Sequence, residues 1–309
     1  MMRTILYLVL FTDLFFKSFS TRLAHEDSIL RLSGDEYKLI YQISTNMTGN
    51  PSENPQNFCE QARKLSFLLP SRIKSILNSF SRYGSDTGYL LIRADNTGIL
   101  GLVPKTPYRN SLMVGEKTIL ARIQSLFVSW IGEMIAYEAE GYGRLYQDVI
   151  PMKSLEREQT SVGSGKELEI HTEQAFSKLK PDFLSLACLR GDTNAVTYIL
   201  PVQYVLDNLD SDEIELLRQP LWKTGVDLSF KLNGNEFIEG DVRGPFPIIS
   251  GNESDSFFVF DQDLMIGVTQ EANYMIKRIV NIYYQHRLSH TMIPGDIIII
   301  DNNRAVHGR

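Results

Sequence analysis

The sequence contains little cysteine and no long uninterrupted apolar run. Cys59 and Cys188 are the only cysteines among 309 residues and have no CxxC spacing, which excludes a framework of several disulfides. The apolar run near the N-terminus is cut by Asp13, well short of the ~20 residues that a membrane-spanning helix needs. We therefore expect a reduced, cytoplasmic protein without stable membrane insertion.

Neither sign of charge dominates the sequence. The 31 lysines and arginines against 37 aspartates and glutamates give a formal charge of −6, spread along the chain. Nucleic acids and acidic membranes attract clustered cations, so neither is an expected partner. The hydrophobic share of 43% and the charged share of 22% are typical of a globular protein and argue against disorder.

The N-terminal residues have a mixed character. Arg3 precedes an apolar run and small residues follow at 18–20, which is roughly the layout of a short signal peptide. Asp13 and Lys17 interrupt that layout. We predict that residues 1–25 are an N-terminal extension, with export by a signal-like segment as the minority alternative. Residues 26–309 are predicted to form a single domain, a size that can bury a substantial core.

Helical patterns occupy the first half of the sequence and short β-patterns the second. Apolar residues at three- and four-residue spacing predict helices over 34–43, 55–69, 70–83 and 117–137, and a β-run lies at 87–94. From about residue 140, predicted strands cover 144–151, 167–171, 182–192, 195–201, 246–250, 256–261 and 296–301, interrupted by helices at 211–221 and 269–288. Many short strands favour a sandwich or jelly roll, so the predicted fold class is mainly β with helical additions.

Two histidines and one glutamate form the strongest chemical pattern. Residues i and i+2 of a strand share a face, so His171 and Glu173 can point at one place, and His307 follows a strongly apolar strand. Two histidines and a carboxylate on one face of a metal are typical of Fe(II) oxygenases, and zinc also accepts this set. The alternative is that His171 is a strand histidine with ordinary hydrogen bonds and that His307 is a loop residue. His286 and His290 lie near a helix end, where a dipole or capping contact is the common reason for histidine.

Two longer motifs carry a family resemblance. HTEQAF at 171–176 and DNNRAVHGR at 301–309 resemble the clavaminate-synthase-like branch of the Fe(II)/2-oxoglutarate oxygenases, and within it the hydroxylases of free arginine or asparagine. The resemblance runs from about residue 130 to residue 309. It implies a double-stranded β-helix (jelly-roll, cupin-like) core flanked by helices, and Fe(II) held by His171, Glu173 and His307. It also implies 2-oxoglutarate and dioxygen as cosubstrates, and hydroxylation of an unactivated carbon, Cβ, of a free L-amino acid.

The same resemblance suggests residues for substrate binding. It places Asp261 and Asp263 against a guanidinium, and two carboxylates suit a planar cation, so arginine is expected ahead of asparagine. The alternative is a solvated acidic turn. Glu140 matches a position that holds the substrate's α-amino group, and Ser161 matches another contact. Thr197 could donate a hydrogen bond to the 2-oxoglutarate carboxylate, although a β-branched strand residue is more often only that.

The C-terminal end departs from the family pattern. In the family an arginine some residues beyond the second histidine holds 2-oxoglutarate, whereas this sequence ends at Arg309, which belongs to the motif itself. We expect a truncated sequence, because the family's next strand is missing and its loss would expose a sheet edge. The alternative is a catalytically impaired module of the same fold that binds iron or an amino acid. A zinc hydrolase is disfavoured, since no obvious general base accompanies the ligands.

Overall fold

The computed structural model describes residues 22–94, 103–109, 112–138, 140–227 and 242–309. Residues 1–21 of the predicted extension lie outside these ranges. The helices are α1 (Gly34–Thr45), α2 (Pro55–Ser66), α3 (Ser71–Tyr83), α4 (Ile119–Ile131), α5 (Val202–Asp207), α6 (Ser211–Leu217) and α7 (Gln270–His286). The strands are β1 (Ile29–Leu32), β2 (Tyr89–Ala94), β3 (Phe183–Ala187), β4 (Val196–Pro201), β5 (Trp222–Gly225), β6 (Val242–Phe246), β7 (Ile249–Asn252), β8 (Asp255–Phe258), β9 (Met265–Gly267), β10 (Leu288–Thr291), β11 (Ile297–Asp301) and β12 (Ala305–Gly308). None of these helices combines the length and apolar composition that crossing a bilayer would require.

Side-chain caps explain where several helices begin. Ser33 and Glu36 form a reciprocal capping box at the start of α1, which satisfies two of the free N–H groups of the first turn. The side chain of Thr118 caps α4 by accepting a hydrogen bond from Ala121 N. Thr269 caps α7 in the same way. These polar residues directly precede the apolar helical patterns, so local sequence determines the helix starts.

The largest sheet, sheet A, has the strand order β1-β2-β11-β3 and is buried on both faces of its middle strands. Ile297 and Ile299 of β11 join a core cluster with helices α1–α4, whereas Ile298 and Ile300 face the opposite side. Alternation along a strand explains this division, because successive side chains point to opposite faces. The unbroken isoleucine run of β11 therefore packs into two cores, one on each face of sheet A.

Sheet B, with the order β10-β4-β12, packs over the second face of sheet A. Ile199 of β4 and Ala305 of β12 contact the even-numbered isoleucines of β11 in one cluster. At Gly88, in the turn before β2, φ is +74° and a Cβ atom would come within 2.5 Å of the Ala305 Cβ. Glycine is required there both by the backbone conformation and by this close approach of the two sheets.

A third layer covers the outer face of sheet B. Leu200 and Val306 point away from sheet A into a cluster with α5, α6 and α7. The same cluster includes Trp222 of the β6-β5-β9 sheet and Phe258 of the β7-β8 hairpin. Sheet B therefore lies between two apolar layers, and the side chains on its inner face point into the space between the sheets.

Two predicted strands have a different structure. Residues 144–151 form no strand: the Tyr146 hydroxyl donates to Ala121 O of α4, and the Asp148 carboxylate accepts hydrogen bonds from Val114 N and Gly115 N. The alternating pattern of this segment thus reflects anchoring to α4 and its preceding turn. Residues 167–171 also form no continuous strand. They contribute a single bridge position, at His171.

The outer edge of β3 carries no strand among the described residues. All five residues of β3 are half-buried, although the strand reads Phe-Leu-Ser-Leu-Ala and pairs with the fully buried β11 on its other side. An apolar strand with an open edge is the arrangement that soluble proteins normally cover or pair.

A buried ion pair ties β2 to the start of β11. The Arg93 guanidinium donates from two nitrogens to the Asp296 carboxylate at 2.8 and 2.6 Å, and His290 Nε2 lies 3.6 Å from the same carboxylate. Burial alone would raise the pKa of Asp296, but the hydrogen bonds from Arg93 and from the Ile293 N–H, together with the nearby His290 ring, outweigh it and lower the pKa to about 2. The paired carboxylate is therefore ionised over the whole neutral and mildly acidic range.

Replacing Asp296 with asparagine should lower the free energy of unfolding by ~3–5 kcal/mol at pH 7, because it removes the buried carboxylate that compensates the Arg93 charge. The stabilisation is complete above the ordinary aspartate pKa of 3.8 and is lost as the pH falls through about 2. Urea unfolding at pH 7 and at pH 3 measures both effects. Lys38→Met, which removes an exposed pair with Asp35, should change stability by less than ~0.5 kcal/mol; an equal effect would contradict the assignment.

Candidate metal centre

The backbone brings the two motif histidines side by side. His171 N donates to His307 O and His307 N donates to His171 O, both at 3.0 Å, which is the closely paired register of an antiparallel ladder. The two imidazole ring centres are 4.5 Å apart. The ring of His171 is oriented by its Nδ1, which lies 2.8 Å from Glu169 O, and this leaves Nε2 available for a ligand.

Glu173 completes the group from the turn after the His171 bridge. Its Oε2 lies 4.0 Å from His171 Nε2 and 3.6 Å from His307 Nε2, and the ligand atoms of the three residues all lie within 4.8 Å of one another. Ligand atoms about 2.1 Å from one ion are spaced by about 3–4 Å, so a small contraction would bring all three onto a metal. Two imidazole nitrogens and one carboxylate oxygen are the donor set of a facial Fe(II) site.

The protonation states also suit a cation. Burial raises the pKa of Glu173, but the hydrogen bond from His307 and the charge of the two imidazoles outweigh it, so its pKa lies below the usual range. Burial and the neighbouring His171 lower the pKa of His307. Burial opposes the charged form of His171, but the charges of Glu173 and Asp261 outweigh it and raise the pKa of His171. A metal requires an ionised carboxylate and neutral imidazoles, so binding at this site would displace the proton that His171 carries when it is charged.

Further carboxylates lie close to the three possible ligands. Asp261 is buried, forms a β-bridge with His171 and accepts a hydrogen bond from Leu264 N at 2.8 Å. Burial, followed by the charges of Asp261 and Glu173, raises the pKa of Asp227 to about 7. The charges of Asp227 and Asp261 therefore act on each other, and a cation close to both would stabilise their ionised forms.

Glu140 lies on another side of the same region. Its Oε2 accepts a hydrogen bond from the Gln174 side chain at 2.6 Å, and its charge also contributes to the raised pKa of Asp227. Gln174 is buried, has a left-handed backbone with φ +55° and keeps its Oε1 without a hydrogen-bond partner among the described residues. A buried acceptor beside an anion is suited to binding an ammonium group.

The other predicted site residues lie apart from this group or at its margin. Asp263 is exposed, and its charge contributes to the raised pKa values of Asp261 and Glu169. Thr197 of β4 is two residues from Ile199, the partner of His307 in the ladder, and by alternation it shares the inner face of sheet B. Ser161 is exposed, and its carbonyl oxygen accepts a hydrogen bond from the Arg309 guanidinium at 2.6 Å.

Arg309 is held by the loop before the His171 bridge. Besides Ser161 O, the guanidinium donates to Gly163 O, and the Arg309 backbone pairs with Leu168. Burial lowers its pKa. The side chain that ends the sequence motif is thus engaged with two carbonyl groups.

Three residues of the region were missed by the sequence-based reasoning. Asp227 lies two residues after β5, and its only local signal is an acidic residue at the end of an alternating pattern. Gln174 and Asn302 lie inside the two long motifs but carry no pattern that separates them from their neighbours. All three are recognised only through contacts between distant parts of the chain.

Comparisons with known proteins agree with this chemistry. No protein-family model matches the sequence. The chain is 43% identical over 282 residues to L-lysine 3-hydroxylase of Catenulispora acidiphila, an alignment that covers 91% of this chain and 78% of that protein. It is 27% identical over 276 residues to clavaminate synthase 2 of Streptomyces clavuligerus, covering 87% of this chain and 82% of that one. The chain belongs to the clavaminate synthase-like Fe(II)/2-oxoglutarate oxygenases.

A solved structure supports the same family for this oxygenase. Asparagine oxygenase in complex with Fe(II), 2S,3S-3-hydroxyasparagine and succinate superimposes with a TM-score of 0.82, at 28% identity, over 91% of this chain and 87% of that one. The oxygenase therefore uses Fe(II), with 2-oxoglutarate and dioxygen as cosubstrates. Together these groups supply an oxidation in which 2-oxoglutarate becomes succinate and carbon dioxide while one oxygen atom enters the substrate.

Proposed function

We propose that the oxygenase hydroxylates free L-lysine at C3, with iron held by His171, Glu173 and His307. The observation that supports it most directly is the group of carboxylates around the three ligands: Asp261 is bridged to His171, and the charges of Asp261 and Glu173 act on Asp227. Carboxylates that are costly to bury together become favourable when a substrate cation lies between them. The relative with 43% identity is named for lysine and for position 3, which puts lysine ahead of the other cationic amino acids.

The residues can be given separate roles in holding such a substrate. Glu140, fixed by Gln174, would hold the α-ammonium group. Asp227 and Asp261 would hold the side-chain ammonium, and the span between these two ends would place C3 next to the metal. Thr197, on the inner face of sheet B, would contact the 2-oxoglutarate carboxylate.

Arginine is the second candidate, because the sequence motif with Asp261 and Asp263 favours a guanidinium. The structure separates these two residues in burial, since Asp261 is buried and Asp263 is exposed. Asp263 is therefore a poor partner for a buried guanidinium, and Asp227 and Asp261 suit either cationic side chain. The relative named for lysine supports lysine as the first candidate.

The arrangement of the sheets supports a proposal about the domain organisation as well. We propose that residues 26–309 form a single oxygenase domain with a jelly-roll core built from sheets A and B. The apolar cluster shared by β2, β4, β11 and β12 supports it, because the two sheets face each other there. The three possible ligands lie at the margin of this cluster, where a substrate can reach them.

A panel of free amino acids tests the proposal. The protein is incubated with Fe(II), ascorbate, 2-oxoglutarate and lysine, arginine, ornithine, asparagine or norleucine, and gain of one oxygen is measured by mass spectrometry. Norleucine is the matched control, because it keeps the chain of lysine and lacks the side-chain ammonium. We expect kcat/KM for lysine to exceed that for norleucine at least ~100-fold, and NMR to place the hydroxyl at C3.

Other outcomes separate the alternatives. Faster turnover of arginine than of lysine would contradict the substrate assignment and leave the reaction type intact. Absence of succinate with every amino acid, in protein that binds Fe(II), would instead indicate the catalytically impaired module.

A further inference from the structure

Asn302 joins two parts of the chain that each carry a possible iron ligand. It lies in the turn between β11 and β12, five residues before His307, and its side chain is completely buried. Its Oδ1 accepts a hydrogen bond from Glu173 N at 2.7 Å, and its Nδ2 donates to Glu173 O at 3.1 Å and to Pro181 O at 2.7 Å. One side chain thus binds both polar groups of the Glu173 backbone.

Among the described residues, the Glu173 backbone receives its hydrogen bonds from the Asn302 side chain and not from another strand. It follows the β-bridge at His171 and precedes Gln174, whose positive φ turns the chain away from sheet B. Within the described ranges, neither Glu173 N nor Glu173 O is paired with another backbone group. The Asn302 carboxamide takes the place of a neighbouring strand, and it fixes the backbone from which the ligand carboxylate projects.

The turn that carries Asn302 is itself firmly held. Asn302 N donates to Asp182 O at 2.9 Å, and the Asp301 carboxylate accepts hydrogen bonds from Asn303 N and Arg304 N, both at 3.1 Å. The same turn leads directly into β12 and His307. Its position therefore sets both the start of the His307 strand and the backbone of Glu173.

We propose that Asn302 is a positioning residue of the iron centre, which fixes the distance between the Glu173 carboxylate and His307. The proposal rests on the assignment of these residues as iron ligands. Asparagine is required because the site needs one acceptor and two donors in a planar group of this length. Aspartate has the same shape but offers no donor, and it would set a carboxylate against the carbonyl oxygens of Glu173 and Pro181.

The test measures the affinity of the metal-free protein for Co(II), a dioxygen-insensitive probe whose visible spectrum reports its ligands. Asn302→Asp should bind Co(II) ~10–100-fold more weakly than the unchanged protein, the usual effect of losing a residue that orients a ligand. The absorption bands of bound Co(II) should change as well. Asn302→Ser is the second variant: it is small and neutral, loses the same contacts to Glu173 and should show the same direction of change if Asn302→Asp does not fold.

Asn303→Ala is the matched control. Asn303 lies in the same turn and donates to the Asp182 carboxylate at 2.8 Å, but it does not contact Glu173. We expect its Co(II) affinity to stay within ~3-fold of that of the unchanged protein. Thermal unfolding of all metal-free variants separates loss of stability from loss of metal binding.

The outcomes distinguish this inference from the proposed function. An unchanged Co(II) affinity and spectrum in folded Asn302→Ser would overturn the positioning role, as would an equal loss of affinity in Asn303→Ala. Glu173→Ala is included as a reference, and if that variant keeps full Co(II) affinity, the iron ligands themselves have been assigned wrongly. A second readout is the ratio of hydroxylated product to succinate, which should fall in Asn302→Ser because a displaced ligand loosens the geometry of the reaction.

Discussion

Replacing Glu173 with alanine should reduce lysine-dependent formation of succinate at least ~100-fold. Loss of a residue that only orients a metal ligand costs ~10–100-fold, so loss of a direct carboxylate ligand should cost more. The remaining donors, His171 and His307, lie side by side on one bridge, and both are neutral when they bind a metal, so a bivalent ion would lose the carboxylate of its ligand set. Steady-state succinate formation at a fixed Fe(II) concentration, together with Fe(II) affinity by equilibrium dialysis, measures the effect.

The control is Glu158→Ala, which removes an exposed carboxylate from the loop before the bridge and should leave both quantities unchanged. Chelator-treated protein provides a second comparison: Fe(II) should restore turnover and Zn(II) should not, because zinc has no redox chemistry. Unchanged turnover in Glu173→Ala would show that the metal, if any, is bound elsewhere.

The sequence predicted the helices of the first half well because their signals are local. The predicted helix at 34–43 corresponds to α1 and the one at 55–69 to α2, each with a capping residue directly before it. The helix predicted at 117–137 ends earlier, with Ile131, because Gly132 follows it and the later residues pack elsewhere. The strand predicted at 144–151 was wrong, since its alternation serves hydrogen bonds to the α4 region.

Some residues of the candidate site could be predicted from the sequence and others could not. His171, Glu173 and His307 could be named because they lie in two long motifs, and the structure brings their ligand atoms together. Asp227 could not be named, because its position beside Asp261 depends on how β5 and the β-bridge of His171 approach each other. The role of Asn302 also depends on contacts between distant parts of the chain. A hydrogen bond between residues 129 positions apart produces no periodic pattern in the sequence.

The carboxylate pair should determine the charge of the substrate. In the double variant Asp227→Asn with Asp261→Asn, kcat/KM for lysine should fall at least ~100-fold, because a buried ammonium would lose charged partners whose removal costs about 2–5 kcal/mol. Asparagine keeps the shape of each side chain, and at position 261 its side-chain oxygen can still accept the hydrogen bond from Leu264 N. The two substitutions therefore remove the negative charges of the site while changing its side-chain packing little.

Norleucine and Asp263 provide the two controls for this effect. Turnover of norleucine should change by less than ~3-fold in the double variant or rise, because its apolar end no longer meets two carboxylates that are costly to bury. Asp263→Asn should reduce lysine kcat/KM by less than ~5-fold, since the residue is exposed and its charge is screened by water. If kcat/KM falls equally for lysine and norleucine, Asp227 and Asp261 maintain the structure of the site and do not bind the side-chain ammonium. If Asp263→Asn has the larger effect, the side-chain ammonium is bound by Asp263 and not by the buried carboxylates.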